Sequence, residues 1–214
     1  MNSANYRPDV FEVTSVEHAK AIIVTPVPGA STEERWVKET EFLVSDIANR
    51  LGISSQSCVL DYGCGIGRIS KGLIEATGCR VIGVDFSNSM RLMAPEYVLS
   101  GRFTAWSPET LDTMFVKGFR VDAAISIWVI QHVLNATEVI ARIHRAIKPG
   151  GLHYSVNVPV RCVPTDAGWI SDGFDVREGL RQVFAEEAFY QLPAQATTPE
   201  VAAASMVQVL RKSK

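Results

Sequence analysis

One segment limits what this 214-residue chain can fold into more than any other: Val59-Leu60-Asp61-Tyr62-Gly63-Cys64-Gly65-Ile66-Gly67. The apolar run closing on Asp61 and Tyr62 reads as the end of a buried strand, and a helical pattern begins at Gly67. Glycines at alternate positions let the backbone turn sharply and pass close to a ligand before that helix starts. A binding loop at the carboxyl edge of a parallel sheet follows. A dinucleotide loop of the GxGxxG type needs its third glycine at position 68, where Arg68 stands, so the pattern is GxGxG and a nicotinamide dehydrogenase is disfavoured.

The flanking chain alternates in the same sense. β-rich runs at 57–62, 80–85, 101–106, 121–128 and 151–158 are separated by helical patterns at 67–76, 87–96, 108–117 and 135–147. A longer helix precedes them at 31–51, with Ser31 and Glu34 spaced for a capping box and Gly52 as its stop. Toward the C-terminus we expect a helix over 176–187 and strands over 188–192 and 202–210, paired antiparallel. Parallel crossovers need helix-length connections. The expected fold is therefore α/β, doubly wound and Rossmann-like: a mostly parallel seven-stranded sheet, helices on both faces, and an antiparallel C-terminal strand.

Composition narrows the function classes. A 47% hydrophobic content suits one large core, with residues 33–214 as the domain and residues 1–32 as an N-terminal extension and candidate lid. Twenty-one basic against twenty-three acidic residues give no field that would draw nucleic acid. Cys58, Cys64, Cys79 and Cys162 form no CxxC pair or zinc spacing, so no metal is expected and reduced thiols in the cytoplasm are the simplest reading. No apolar stretch is long enough for a signal core or a membrane span.

The loop, with its strand, its acid and its helix, resembles the first motif of the class I S-adenosylmethionine-dependent methyltransferases, and the resemblance extends over about 59–158. It implies S-adenosylmethionine as cofactor, with Asp61 ordering the methionine end and Gly63, Cys64, Gly65 and Gly67 bringing backbone close to it. Arg68 either helps attract the methionine carboxylate or lies in solvent. Val81-Ile82-Gly83-Val84-Asp85 is a second strand ending in an acid at the offset for ribose recognition, so Asp85 is expected to accept from the ribose hydroxyls. Its alternative is a helix cap before Asn88. Phe86 is a candidate for the adenine face. Where relatives often carry Gly-Asp after the third strand, this chain has Trp106 and Ser107, which either cover and hydrogen-bond adenine or serve packing.

The fourth strand exits through Ile127-Trp128-Val129-Ile130-Gln131-His132. By resemblance, the backbone at Ile127 and Trp128 meets the methionine portion. His132 is either a general base for a hydroxyl or amine or a structural histidine. No NPPY-like tetrapeptide and no Pro-Cys nucleophile occupies this exit, which disfavours DNA bases as acceptors. The expected activity is methyl transfer to O or N of a small molecule; the competing reading is a catalytically silent cofactor-binding or partner-binding module. Substrate contacts are expected from 6–32 and from the loop 159–175.

Overall fold

The computed structural model describes residues 5–214; the first four residues of the N-terminal extension lie outside the described residues. A short 3-10 turn, Pro8–Phe11, and α1, Val16–Ile23, lead into α2, Thr32–Leu51. The expected capping box forms: Ser31 Oγ accepts from Glu34 N at 3.2 Å, and Glu34 Oε2 accepts from Ser31 N at 2.9 Å. Gly52 closes α2 at φ 61°.

The alternating unit follows as β1 (Cys58–Tyr62), α3 (Arg68–Thr77), β2 (Arg80–Val84), α4 (Asn88–Val98), β3 (Phe103–Trp106), α5 (Pro108–Val116), β4 (Val121–Ile127), α6 (Ala136–Ala146) and β5 (Ile147–Asn157). These five strands are parallel, and with two later strands, β8 (Ala185–Tyr190) and β9 (Met206–Arg211), they make a seven-stranded sheet in the order β3-β2-β1-β4-β5-β9-β8. Strand order reverses between β1 and β4, the topological switch point where ligands bind in open α/β sheets.

Side-chain alternation builds two cores. Val59, Val81 and Ile125 face α2 and α3, packing with Leu43, Ile47 and Leu73. Leu60, Ile82 and Ala124 point the other way, onto Leu111, Ile140, Ile143 and Leu180. Each fully buried Leu or Ile contributes about 1.5–3 kcal/mol, so a one-residue slip of β1 would forfeit burial on both faces.

Two C-terminal expectations are corrected. The helix expected over 176–187 stops early: α7 is Val176–Arg181, and Ala185–Tyr190 forms strand β8. The Ala-Glu-Glu-Ala stretch favours a helix locally, but pairing with β9, Met206–Arg211, overrides that preference. The strand expected over 202–210 starts later, because Thr198 caps and Pro199 opens a short helix α8, Pro199–Ala204. β9 is antiparallel to both β5 and β8, as expected of the closing strand. Within 159–175 the chain forms a hairpin, β6 (Val163–Thr165) with β7 (Gly168–Ile170).

Candidate active site

The glycine loop folds back over the end of β2: Gly63 N and Cys64 N both donate to Val84 O, at 2.6 and 3.1 Å. Gly63 has φ 77°, and a Cβ there would overlap Val129. Asp85 joins this loop to the second motif. Its Oδ2 accepts from Gly65 N at 2.8 Å and its Oδ1 from Ser87 N at 2.9 Å. A carboxylate offers about four acceptor positions, so about two stay open toward a ligand. Asp61 is buried beneath the loop, with Oδ2 accepting from Ser70 Oγ at 2.6 Å. Burial pushes its carboxyl up to about 6, against the pull of Ser70.

A cavity of about 710 Å³ opens along the carboxyl ends of the parallel strands. Of the residues singled out from sequence, Asp61, Gly63, Cys64, Gly65, Asp85, Phe86, Ile127, Trp128 and His132 line it. Trp128 takes φ 61°, a left-handed conformation that costs a non-glycine residue about 1–2 kcal/mol, and its N–H is held by Val156 O at 2.8 Å. Such strain at a strand exit is a site signal that residue identity does not carry.

Gly67, Trp106 and Ser107 stand outside the wall. Gly67, at φ 87°, faces Val98 and Phe103, so it serves close packing between α3 and its neighbours. Trp106 packs edge-on against Phe119 at 5.1 Å, and the Ser107 hydroxyl caps α5 through Thr110 N at 3.2 Å. Pro108, Glu109 and Arg142 line this end of the cavity instead.

At the α2–α3 side lies a charged group that sequence reading only touched. Arg68 is buried at 3% exposure, which removes the solvent alternative. Its Nη1 stands 3.7 Å from Glu39 Oε2, yet Nε, Nη1 and that oxygen have no hydrogen-bond partner. Glu39 Oε1 is engaged by Arg35 Nε at 2.8 Å and Thr197 Oγ1 at 2.6 Å. Arg35 and Arg68 both line the cavity. Arg35 and Glu39 leave a faint signal in the sequence: a charged pair at i and i+4 on the apolar face of α2, beside Trp36 and Leu43.

The methyltransferase domain family matches residues 59–151. The chain is 27% identical over 101 residues to a ubiquinone biosynthesis O-methyltransferase from a Methylobacterium species, covering 47% of this chain and 40% of that one. It is 28% identical over 152 residues to the methyltransferase GfsG of Streptomyces halstedii, covering 69% of this chain and 54% of that protein. The chain thus spans about half the length, or less, of these curated relatives. In fold it is similar to the PH0226 protein of Pyrococcus horikoshii OT3, with a TM-score of 0.63 at 19% identity, covering 94% of this chain and 100% of that one. Over residues 59–151 the chain is thus similar to the methyltransferase domain family, and its fold is shared with PH0226.

The site fits S-adenosylmethionine, the cofactor that the resemblance implies, on two independent observations. Asp85 keeps acceptor capacity beside the loop, and Arg68 presents unpaired N–H groups at the cavity wall. Among the described residues no cluster suits a metal ion, and no helix is long and apolar enough to cross a membrane.

Beyond the exit of β4, His132 is held at both nitrogens. Nδ1 donates to Cys162 O at 2.7 Å, a carbonyl that can only accept. Nε2 therefore accepts, and its 3.0 Å partner is the Gln131 side-chain amide. The orientation of that amide is determined as well, because Gln131 Oε1 accepts from Val158 N at 2.7 Å. Burial further lowers the imidazole's affinity for a proton. The other histidines stand outside the wall; His153, buried in β5, meets Ser126 Oγ at 2.9 Å.

The N-terminal segment contributes Tyr6, Pro8 and Phe11 to the cavity wall. Arg7 N donates to Pro164 O and Asp166 N to Asn5 O, each at 3.0 Å, laying the segment along the β6–β7 hairpin. Glu12 reaches α4, accepting from Asn88 N and Ser89 N at 3.0 Å. Between these anchors Phe11 packs against Phe86 at 5.7 Å, His132 at 5.8 Å and Trp169 at 6.2 Å.

Proposed function

We propose that this chain transfers the methyl group of S-adenosylmethionine to an oxygen or nitrogen of a small molecule. The observation that carries the reading is one continuous cavity: the cofactor motifs line its centre, and an apolar region roofed by the N-terminal segment and α8 adjoins them. In the proposed assignment Asp85 accepts from the ribose hydroxyls, Asp61 orders the ammonium end, and Arg68 with Arg35 receives the carboxylate. Phe86 contacts the adenine face, and backbone at Ile127 and Trp128 borders the sulfonium. The cofactor supplies an activated methyl group, so the protein's task is alignment and exclusion of water.

His132 is assigned a positioning role, since both of its nitrogens are spent within the protein. Residues 5–32 are read as a lid, closed in this conformation through Phe11 and Glu12. A cytoplasmic setting and a small-molecule acceptor complete the proposal; the relative named as an O-methyltransferase supports the transfer to oxygen.

Calorimetry with S-adenosylmethionine, followed by transfer of labelled methyl groups to a metabolite library, tests the reading. Binding with turnover of a small acceptor is expected. Binding without transfer to any acceptor favours the silent module, and absence of binding removes the assignment.

A further inference from the structure

The chemistry of the acceptor can be narrowed from the groups that face it. Resting on the methyl-transfer reading, we propose that the acceptor is a weakly acidic hydroxyl, a phenol or enol on an apolar body, which reacts as its own anion without a proton-accepting side chain.

The first support is the saturation of His132. For Nε2 to take a proton, the Gln131 amide would have to turn its oxygen toward the ring. That turn would set the Gln131 amino group against Val158 N–H, two donors facing each other, in a region where unpaired polar groups cost about 1–3 kcal/mol. The other nitrogen already carries the proton given to Cys162 O. The hydrogen-bond chain thus holds the imidazole neutral and leaves it no free lone pair.

The remaining ionisable groups lining the cavity do not replace it: Glu138 is paired with Arg142 at 2.9 Å, and hydrogen bonds at the start of α5 hold the Glu109 carboxyl below the usual range. Tyr6 lines the cavity from the N-terminal segment, and its hydroxyl makes no hydrogen bond among the described residues. Burial raises its pKa, so at neutral pH it stays protonated and is a donor toward an acceptor oxygen. Glu200, on α8, is exposed to water. Asp85, which accepts from Gly65 N and Ser87 N, has its remaining acceptor positions assigned to the ribose hydroxyls. In the β5–β6 connection Arg161, buried and bound by both carboxylate oxygens of Asp172 at 2.9 Å, is near enough to act electrostatically on Tyr6 and His132 but has its charge paired within the protein. Cys162 contributes only its carbonyl to His132.

The field and the wall point the same way. A bound sulfonium disfavours an ammonium acceptor and favours an anion. Phe11, Val27, Leu134, Val158, Val201 and Ala204 make an apolar surround for the acceptor's body. The step balances simply: the hydroxyl proton leaves to water, an oxygen lone pair forms the O–CH3 bond, and the C–S bond breaks. Its electron pair stays on sulfur, which departs as a neutral thioether.

The test uses the full chain, labelled S-adenosylmethionine and a series of apolar phenols of graded acidity, beside matched aliphatic alcohols and amines, from pH 5.5 to 10. Phenols should be methylated at least about tenfold more efficiently than the matched amines and alcohols. The midpoint of kcat/KM against pH should move with each phenol's own acidity, and should stay with the phenol in His132→Asn and Glu200→Gln. If His132→Asn does not fold, the dependence of the midpoint on the acceptor in the unaltered protein decides alone. A midpoint common to all phenols, its loss in either variant, preference for amines or alcohols, or no phenol methylated by protein that binds the cofactor would each overturn the proposal. Failure to bind S-adenosylmethionine in parallel calorimetry removes the underlying methyl-transfer reading instead.

Discussion

Asp85 Oδ2 accepts the Gly65 backbone N–H at 2.8 Å, so the acid closing β2 holds in shape the glycine loop that follows β1. The same carboxylate that is proposed to read the ribose thereby shapes the loop beneath the methionine end. Asp85→Ala removes both contributions. With charged hydrogen bonds contributing about 1.5–3 kcal/mol each, cofactor affinity should fall by at least roughly tenfold. Calorimetry on protein that retains its circular dichroism checks this, and unchanged affinity would remove Asp85 from the site.

Arg68 offers a way to separate the two ends of the cofactor. Its unpaired Nε and Nη1 are proposed to receive the methionine carboxylate. Arg68→Met should weaken S-adenosylmethionine by roughly tenfold to a hundredfold. Binding of 5′-methylthioadenosine, which lacks the carboxylate, should change little. An equal loss for both ligands would assign Arg68 to the scaffold.

Asp61 predicts a pH dependence with a definite sign. Its carboxyl titrates at about 6 in the cofactor-free protein, above the ordinary value of about 3.9. An ammonium group placed beside it favours the ionised form, so binding releases a proton at pH values below 6. Cofactor affinity should therefore be level above pH 7 and fall by up to about tenfold per unit as pH drops from 6 toward 4. Stability of the empty protein carries the opposite sign: Asp61 is then most favourable below about 3.9 and loses that contribution as pH rises through 6. Asp61→Asn should flatten the affinity slope, measured by calorimetry across that range.

Gly67 separates packing from ligand contact within one motif. Its φ of 87° and the proximity of Val98 leave no room for a Cβ. Gly67→Ala should destabilise the domain by roughly 1–3 kcal/mol, read as a lowered thermal midpoint. Saturating cofactor should still bind the folded fraction with near-normal affinity. A selective loss of affinity at unchanged stability would return Gly67 to the binding surface.

Glu12 ties the N-terminal segment to α4. Its carboxylate accepts from Asn88 N and Ser89 N, the unpaired donors of a helix start, and these contacts hold its carboxyl below the usual range despite partial burial. Glu12→Ala should cost about 1 kcal/mol, speed amide exchange in residues 5–15 and increase the cofactor's dissociation rate several-fold. Faster exchange with an unaltered dissociation rate would mean that the segment is not a lid.

The features legible in the sequence are those whose physics is local. Strand, acid and alternate glycines occupy adjacent residues from Val59 to Gly67, and positive φ at Gly63 and Gly65 is a property the sequence can announce. The same holds for Asp85 at the end of an apolar run, for the Ser31 and Glu34 capping box, and for the alternation that specifies a parallel sheet. What failed was local preference opposed by distant pairing. Ala185–Tyr190 became a strand because β9 lay beside it, and the Trp106 and Ser107 side chains were drawn to Phe119 and to the start of α5.

The sequence by itself therefore determined the fold class and the form of the glycine loop, since each depends on neighbours along the chain. Only the tertiary structure decided that Arg68 is buried against Glu39 with unspent donors, and that His132 is bound on both sides. The partners of His132 come from the adjacent Gln131 and from Cys162, with Val158 orienting the amide between them. Whether a charged or titratable side chain is free to act depends on which donors and acceptors the fold brings to it from elsewhere, and residue spacing along the chain carries no record of that.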